Sequence, residues 1–199
     1  MKILISSPRC GSTFVSKYFD KYNMLHMKCK YINTFSEYLL TAQHGDQTPI
    51  KSKIKYIELC RSEGTELLYK IHAFHLFQNN WINKWFFDFY KDADIYVLKR
   101  KDLWAAYTSL LVHYKIGRKL WHNDGTKRNE LIKILQTENI KHDPNVMKAF
   151  LWQQECLNRI EGNILYLEDL NHSKMCNLLN VNIEEPYKPW NINYENYIC

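Results

Sequence analysis

Apolar and polar positions along the chain fall into two alternating kinds of segment. Four short runs, KILIS (2–6), LLYKI (67–71), DIYVL (94–98) and NILYL (163–167), are rich in Ile, Leu, Val or Tyr, as strands buried on both faces are. Between them, Thr13–Tyr22, Trp81–Tyr90, Leu103–Tyr114 and Pro144–Arg159 carry apolar residues at spacings of three and four, which predicts amphipathic helices. Strand alternating with helix predicts an α/β chain: a parallel sheet of about four to five strands with helices covering both faces, in three layers. Gly45–Lys55 and Gly117–Asn129 are polar and basic and read as surface loops or lids. No internal repeat or low-complexity tract interrupts the pattern, and 199 residues suit a single domain over 1–199.

Composition narrows the function only a little. A hydrophobic share of 46% excludes a disordered chain, and a net charge of +6 points to an anionic partner without choosing among nucleotide, nucleic acid, membrane surface and acidic glycan. The six cysteines stand at 10, 29, 60, 156, 176 and 199, with no metal-ligand spacing, so they read as reduced thiols and no metal is expected. MKILIS holds three consecutive apolar residues, too few for a signal-peptide core, and no run approaches the roughly 20 apolar residues that cross a bilayer. A cytoplasmic protein with no membrane partner is expected.

The densest chemistry lies in SSPRCGSTF (6–14), between the first strand and the helix after it. A strand-to-helix turn aims backbone N–H groups and the positive end of the helix dipole at one point. Gly11 permits a tight curl, Ser12 and Thr13 offer hydroxyls at the first helical positions, and Arg9 adds a fixed cation. The turn therefore reads as a cradle for a phosphate-type anion. The nucleoside-triphosphatase P-loop, G-x-x-x-x-G-K-[ST], is nearly present, but Ser6 stands at its first Gly and Ser12 at its Lys.

PRCGSTF resembles the 5'-phosphosulfate loop of sulfotransferases, which reads Pro, Lys or Arg, a small residue, Gly, then two of Ser or Thr. The resemblance implies a P-loop-type fold that binds 3'-phosphoadenosine 5'-phosphosulfate (PAPS) and releases PAP. Pro8, Arg9, Cys10, Gly11, Ser12, Thr13 and Phe14 would hold the cofactor, with no metal required. In YVLKRKDLWAAYTSLLVHY (96–114) a strand ends at Lys99-Arg100, Asp102 is positioned to cap a helix, and Ser109 follows two turns on. In the same family a strand, an Arg and a helix carrying Ser eight or nine residues later bind the 3'-phosphate. Arg100 and Ser109 match at nine, as in the bacterial trehalose 2-sulfotransferase-like branch, while Thr108 stands at eight. YLEDL (166–170) and Trp121 echo the same enzymes.

Sulfuryl transfer needs a base for the acceptor proton and cations for the developing charge; Arg9 is the expected stabiliser. Lys70 and His72, at the end of the second predicted strand, resemble the Lys-x-His of cytosolic sulfotransferases, whose His is the base. Glu37, in NTFSEYLL (33–40), is the rival base, by resemblance to the trehalose-type branch, although Asn33 and Thr34 stand where that branch has Glu-Pro. His72 is favoured. The cytosolic family closes its cofactor site with a late Arg-Lys-Gly that has no counterpart after residue 170; Arg118, Lys119, Lys127 and Arg128 are substitutes to consider.

The acceptor is expected to be a carbohydrate or small-molecule hydroxyl, with Trp81, Trp85, Phe86, Trp121 and Trp152 as rings available either to stack on it or to fill the core. Two other functions compete. A P-loop nucleotide or nucleoside kinase would need ATP and magnesium. A non-enzymatic nucleic-acid-binding domain would spread its binding over many cations and leave the glycine turn without a purpose.

Overall fold

The computed structural model describes residues 2–25, 29–32, 55, 58–60, 62–64, 66–77, 80–116, 125–184 and 193–198, with side chains for all of these except 20–25, 29–32, 66–69, 80–82, 89 and 125–128. Five strands, β1 (Lys2–Ser6), β2 (Cys29–Ile32), β3 (Glu66–His72), β4 (Asp94–Lys99) and β5 (Asn163–Tyr166), form one sheet in the order β2-β3-β1-β4-β5. Every pairing is parallel. The four apolar runs are β1, β3, β4 and β5. β2 escapes the apolar pattern because its sequence, CKYI, alternates with a lysine, as suits its place at the edge.

Among the described residues the main helices are α1 (Ser12–Leu25), α2 (Ala73–Phe77), α3 (Asn80–Phe89), α4 (Leu103–Ile116), α5 (Gly125–Thr137), α6 (Pro144–Asn158) and α7 (His172–Leu179). The period-two alternation of β1 sorts them into layers. Ile3 and Ile5, with Ile71 and Val97, pack against Ala73, Leu76, Phe86, Tyr90 and Leu157 of α2, α3 and α6 and their flanks. Leu4 and Leu98 point the other way, onto Val15, Tyr18 and Phe19 of α1 and Met175 and Leu179 of α7. The fold is three-layer α/β. A third cluster joins α4, α5 and α6 through Tyr107, Leu110, Leu111, Leu135 and Phe150.

One expectation needs correction. The stretch 117–129 is not loop throughout, because α5 begins at Gly125, and its polar residues lead into a helix that buries Leu131 and Leu135. Residues 45–54 lie outside the described residues. No described helix is long and apolar enough to cross a membrane.

The strand order governs where a site can form. β1 lies between β3 and β4, so the chain leaving β1 emerges in the crevice where connections on either side diverge, the usual ligand position in open parallel sheets. Ser6 pairs in register with His72 on one side and Leu98 on the other. Three strand ends therefore converge on the turn that follows Ser6.

Candidate functional site

The turn between β1 and α1 is wound tightly. Arg9 adopts φ 66° and Gly11 φ 80°, both left-handed. For Arg9 that conformation costs on the order of 1–2 kcal/mol, so its surroundings must hold it there. Gly11 serves a second purpose, since a Cβ at this position would lie 2.5 Å from the Leu167 methyl carbons. The glycine thus admits both the curl and the close packing of Leu167 from the 3-10 turn Leu167–Asp169.

Inside the turn, Ser7 and Cys10 share a 3.0 Å hydrogen bond, and Gln154 of α6 donates through Nε2 to Ser7 Oγ at 2.8 Å. Burial pushes the Cys10 thiol up, which disfavours the thiolate. Gln154 is a support that sequence reasoning did not single out, since nothing in its helical spacing marks it. At the start of α1, Ser12 is buried and Thr13 exposed. The first N–H groups of any helix lack intrahelical acceptors; here those of Phe14 and Val15 donate to Gly11 O at 2.9 and 3.3 Å.

Arg9 of the turn and Ser109 of α4 meet directly: Nε of Arg9 donates to Ser109 Oγ at 2.9 Å. Thr108, the alternative at spacing eight, is fully buried and donates its hydroxyl to Ala105 O at 3.2 Å within its own helix. Ser109 is therefore the hydroxyl that faces the turn. Desolvation lowers the Arg9 pKa, a hydrogen bond to the Tyr194 phenol works against that, and the charge of Arg100 adds to the lowering. Two guanidinium groups thus act on one another beside the turn, an arrangement that favours an incoming anion.

Arg100 follows β4 and is oriented from behind. Its Nε donates to Glu168 Oε1 at 3.3 Å, and the same carboxylate accepts from the backbone N–H of Lys101 at 3.0 Å and of Asp102 at 3.4 Å. Burial opposes the charge of Glu168, but these backbone bonds and the guanidinium outweigh it and hold the carboxyl below its usual range. Asp102 caps α4 as expected, accepting from Ala105 N at 2.8 Å. Lys99 turns the other way and donates to Asn158 on α6. The YLEDL stretch is therefore a support: Leu167 packs on Gly11 and Glu168 aims Arg100.

His72 ends β3 beside Ser6, and its Nδ1 shares a 3.2 Å hydrogen bond with Ser6 Oγ. Burial, then the charges of Lys70 and His75, lower its pKa from 6.5 to about 3, so the imidazole is neutral throughout the physiological range. Lys70 pairs in register with Leu4, two residues back from the strand end. The His72 ring stacks at 6.0 Å on Phe74, which lies 5.9 Å from Trp152. Trp152 is 41% exposed. Trp85 donates to Glu58 and packs on Tyr90, and Phe86 is fully buried, so both belong to the core.

Glu37, Arg118, Lys119 and Trp121 lie outside the described residues, as do the side chains of Trp81, Lys127 and Arg128. The structure brings together Arg9, Gly11, Ser12, Arg100 and Ser109 in one place, with His72 one strand away. Compared with known proteins, the chain matches no family model and no curated relative.

Proposed function

We propose that the protein is a sulfotransferase that passes the sulfuryl group of PAPS to an acceptor hydroxyl by in-line displacement. The observation that carries this reading is the hydrogen bond from Arg9 to Ser109, with Arg100 alongside. Two elements that the sequence resemblance assigns to opposite ends of one nucleotide meet in space, although about a hundred residues separate them. A helix capped after an ordinary turn gives no reason for that meeting.

In the proposed reaction the acceptor oxygen attacks sulfur, the bond from sulfur to the bridging phosphate oxygen breaks, and PAP leaves with the electron pair. The loop N–H groups, the α1 dipole and Arg9 stabilise the charge that gathers on the leaving phosphate. Arg100 and Ser109 hold the 3'-phosphate, where a planar guanidinium can donate two parallel bonds. The acceptor proton goes to a base, His72 or Glu37. His72 is neutral and therefore able to accept a proton, but a pKa lowered to about 3 makes it a weak base; a bound anionic donor next to it would raise its proton affinity. Phe74 and the exposed Trp152 continue from His72 to the surface as an aromatic wall, which suits the flat face of a sugar ring or a small aromatic acceptor.

Titrating PAP into the protein by calorimetry, with and without EDTA, tests the reading. A sulfotransferase binds PAP equally in both; a P-loop kinase prefers ATP with magnesium. A nucleic-acid-binding domain binds oligonucleotide with a steep dependence on salt.

A further inference from the structure

Residues 7–10 form a closed turn at the start of the connection from β1 to α1. The Cys10 N–H donates to Ser7 O at 3.4 Å, and the side chains of the same two residues share a 3.0 Å hydrogen bond. Pro8 occupies the second position of this turn, and Arg9 occupies the third with φ 66°. A proline followed by a residue at positive φ is the pattern of a type II turn, whose third position ordinarily takes Gly or Asn. With Arg there the turn is strained, so contacts from outside must keep it wound.

α6 supplies one such contact. Ser7 and Cys10 are both fully buried, so their polar atoms depend on protein partners. Gln154 Nε2 donates to Ser7 Oγ at 2.8 Å, which leaves the Ser7 hydroxyl proton for Cys10 Sγ, or a lone pair for the Cys10 S–H. Either way the hydrogen bonds run from Gln154 through Ser7 to Cys10, and Arg9 lies in sequence between the last two. The amide is uncharged, so it restrains the turn and leaves the Arg9 charge to act on an anion. Two residues earlier the same helix carries Trp152, whose ring lies 5.9 Å from Phe74 on the His72 side. α6 thus reaches both the anion turn and the aromatic wall.

We propose that Gln154 is a positioning residue of the anion site: through Ser7 it holds the 7–10 turn in the wound form that aims Arg9 at Ser109. A turn free to relax presents the cradle for only a fraction of the time, and the apparent affinity for an anion falls by that fraction. The proposal rests on the reading of residues 9–13 as the anion cradle, and it extends that reading to a helix residue outside any recognisable motif.

The wild-type chain, Gln154→Met, Ser7→Ala and the double variant test it. Met keeps the length of the side chain and removes the donor. Arg9 Nε–H exchange with solvent is followed by NMR without ligand, and PAP affinity by calorimetry. Gln154→Met is expected to speed the exchange and weaken PAP binding, each about three-fold, the scale of one neutral hydrogen bond. In the Ser7→Ala background the same substitution is expected to change neither further. Unchanged Arg9 exchange in Gln154→Met, or a PAP loss of the same size with and without the Ser7 hydroxyl, overturns the proposal. A fall in urea stability with PAP affinity unchanged also overturns it, and marks Gln154 as packing alone. Absence of PAP binding in the wild type contradicts the proposed function instead, and Arg9 exchange in the four proteins then still decides whether Gln154 holds the turn through Ser7.

Discussion

Arg9 Nε donates to Ser109 Oγ at 2.9 Å, joining the turn after the first strand to a helix that follows the fourth. Neither residue is near the other in sequence, and each sits where its own element requires: Arg9 in a left-handed turn, Ser109 on the buried face of α4. The contact brings the two separately legible motifs together.

Replacing Ser109 by Ala is therefore expected to weaken PAP binding about ten-fold, since a hydrogen bond to a charged group is worth about 1.5–3 kcal/mol and part is recovered by water. Thr108→Ser, whose hydroxyl keeps its bond within the helix, is expected to leave affinity unchanged. Calorimetric titration of both variants checks the assignment. Equal losses would show that the helix, and not the Ser109 hydroxyl, matters.

Gly11→Ala is expected to destabilise the fold by about 1–3 kcal/mol, through backbone strain and the clash of the new Cβ with Leu167. Pairing it with Leu167→Ala separates the two causes. The double variant relieves the clash and keeps the positive-φ cost, so Gly11→Ala should cost less in that background. Urea unfolding of the four proteins measures the coupling.

The half-buried His72 makes stability depend on pH. Its folded pKa, about 3, lies below the ordinary 6.5, so between these values the unfolded chain binds more protons than the folded one. Its contribution is complete above about pH 6.5 and is lost as pH falls toward 3. His72→Gln is expected to flatten the wild-type decline across that window, read by urea titration at pH 4 to 8. A variant curve parallel to wild type would exclude His72 as its cause.

The same residue is the favoured base. A base contributes about 10²–10⁴ in rate, so His72→Ala should lose turnover on that scale while Glu37→Gln loses much less. The opposite result in a PAPS-dependent turnover assay would move the role to Glu37.

Much of this arrangement is legible in the sequence, for identifiable reasons. β1, β3 and β4 are apolar runs because they lie inside the parallel sheet, whereas β5 carries the same pattern at an edge, with Ile164 and Tyr166 exposed. The edge strand β2 is short and half polar, and the short helix α2 directly follows His72, too brief to show a period. At the site, Arg9, Gly11 and Ser109 announce themselves by spacing. Glu168 and Leu167 were visible as a motif but not as the supports of Arg100 and Gly11. Gln154 carried no local signal, because its approach to the turn depends on how distant helices pack.

The central claim, that the turn at residues 9–13 and the Arg100–Ser109 element form one site for a 3',5'-bisphosphorylated adenosine, is tested most directly by thermal unfolding with PAP, ATP and ATP–magnesium side by side. PAP at a hundred times its dissociation constant should add about 2.7 kcal/mol of stability. For a chain of this size that is a rise of roughly 5–10 °C, unaffected by EDTA and lost in both Arg9→Ala and Arg100→Ala. A rise with ATP–magnesium and none with PAP, or a PAP effect that survives either substitution, would contradict it.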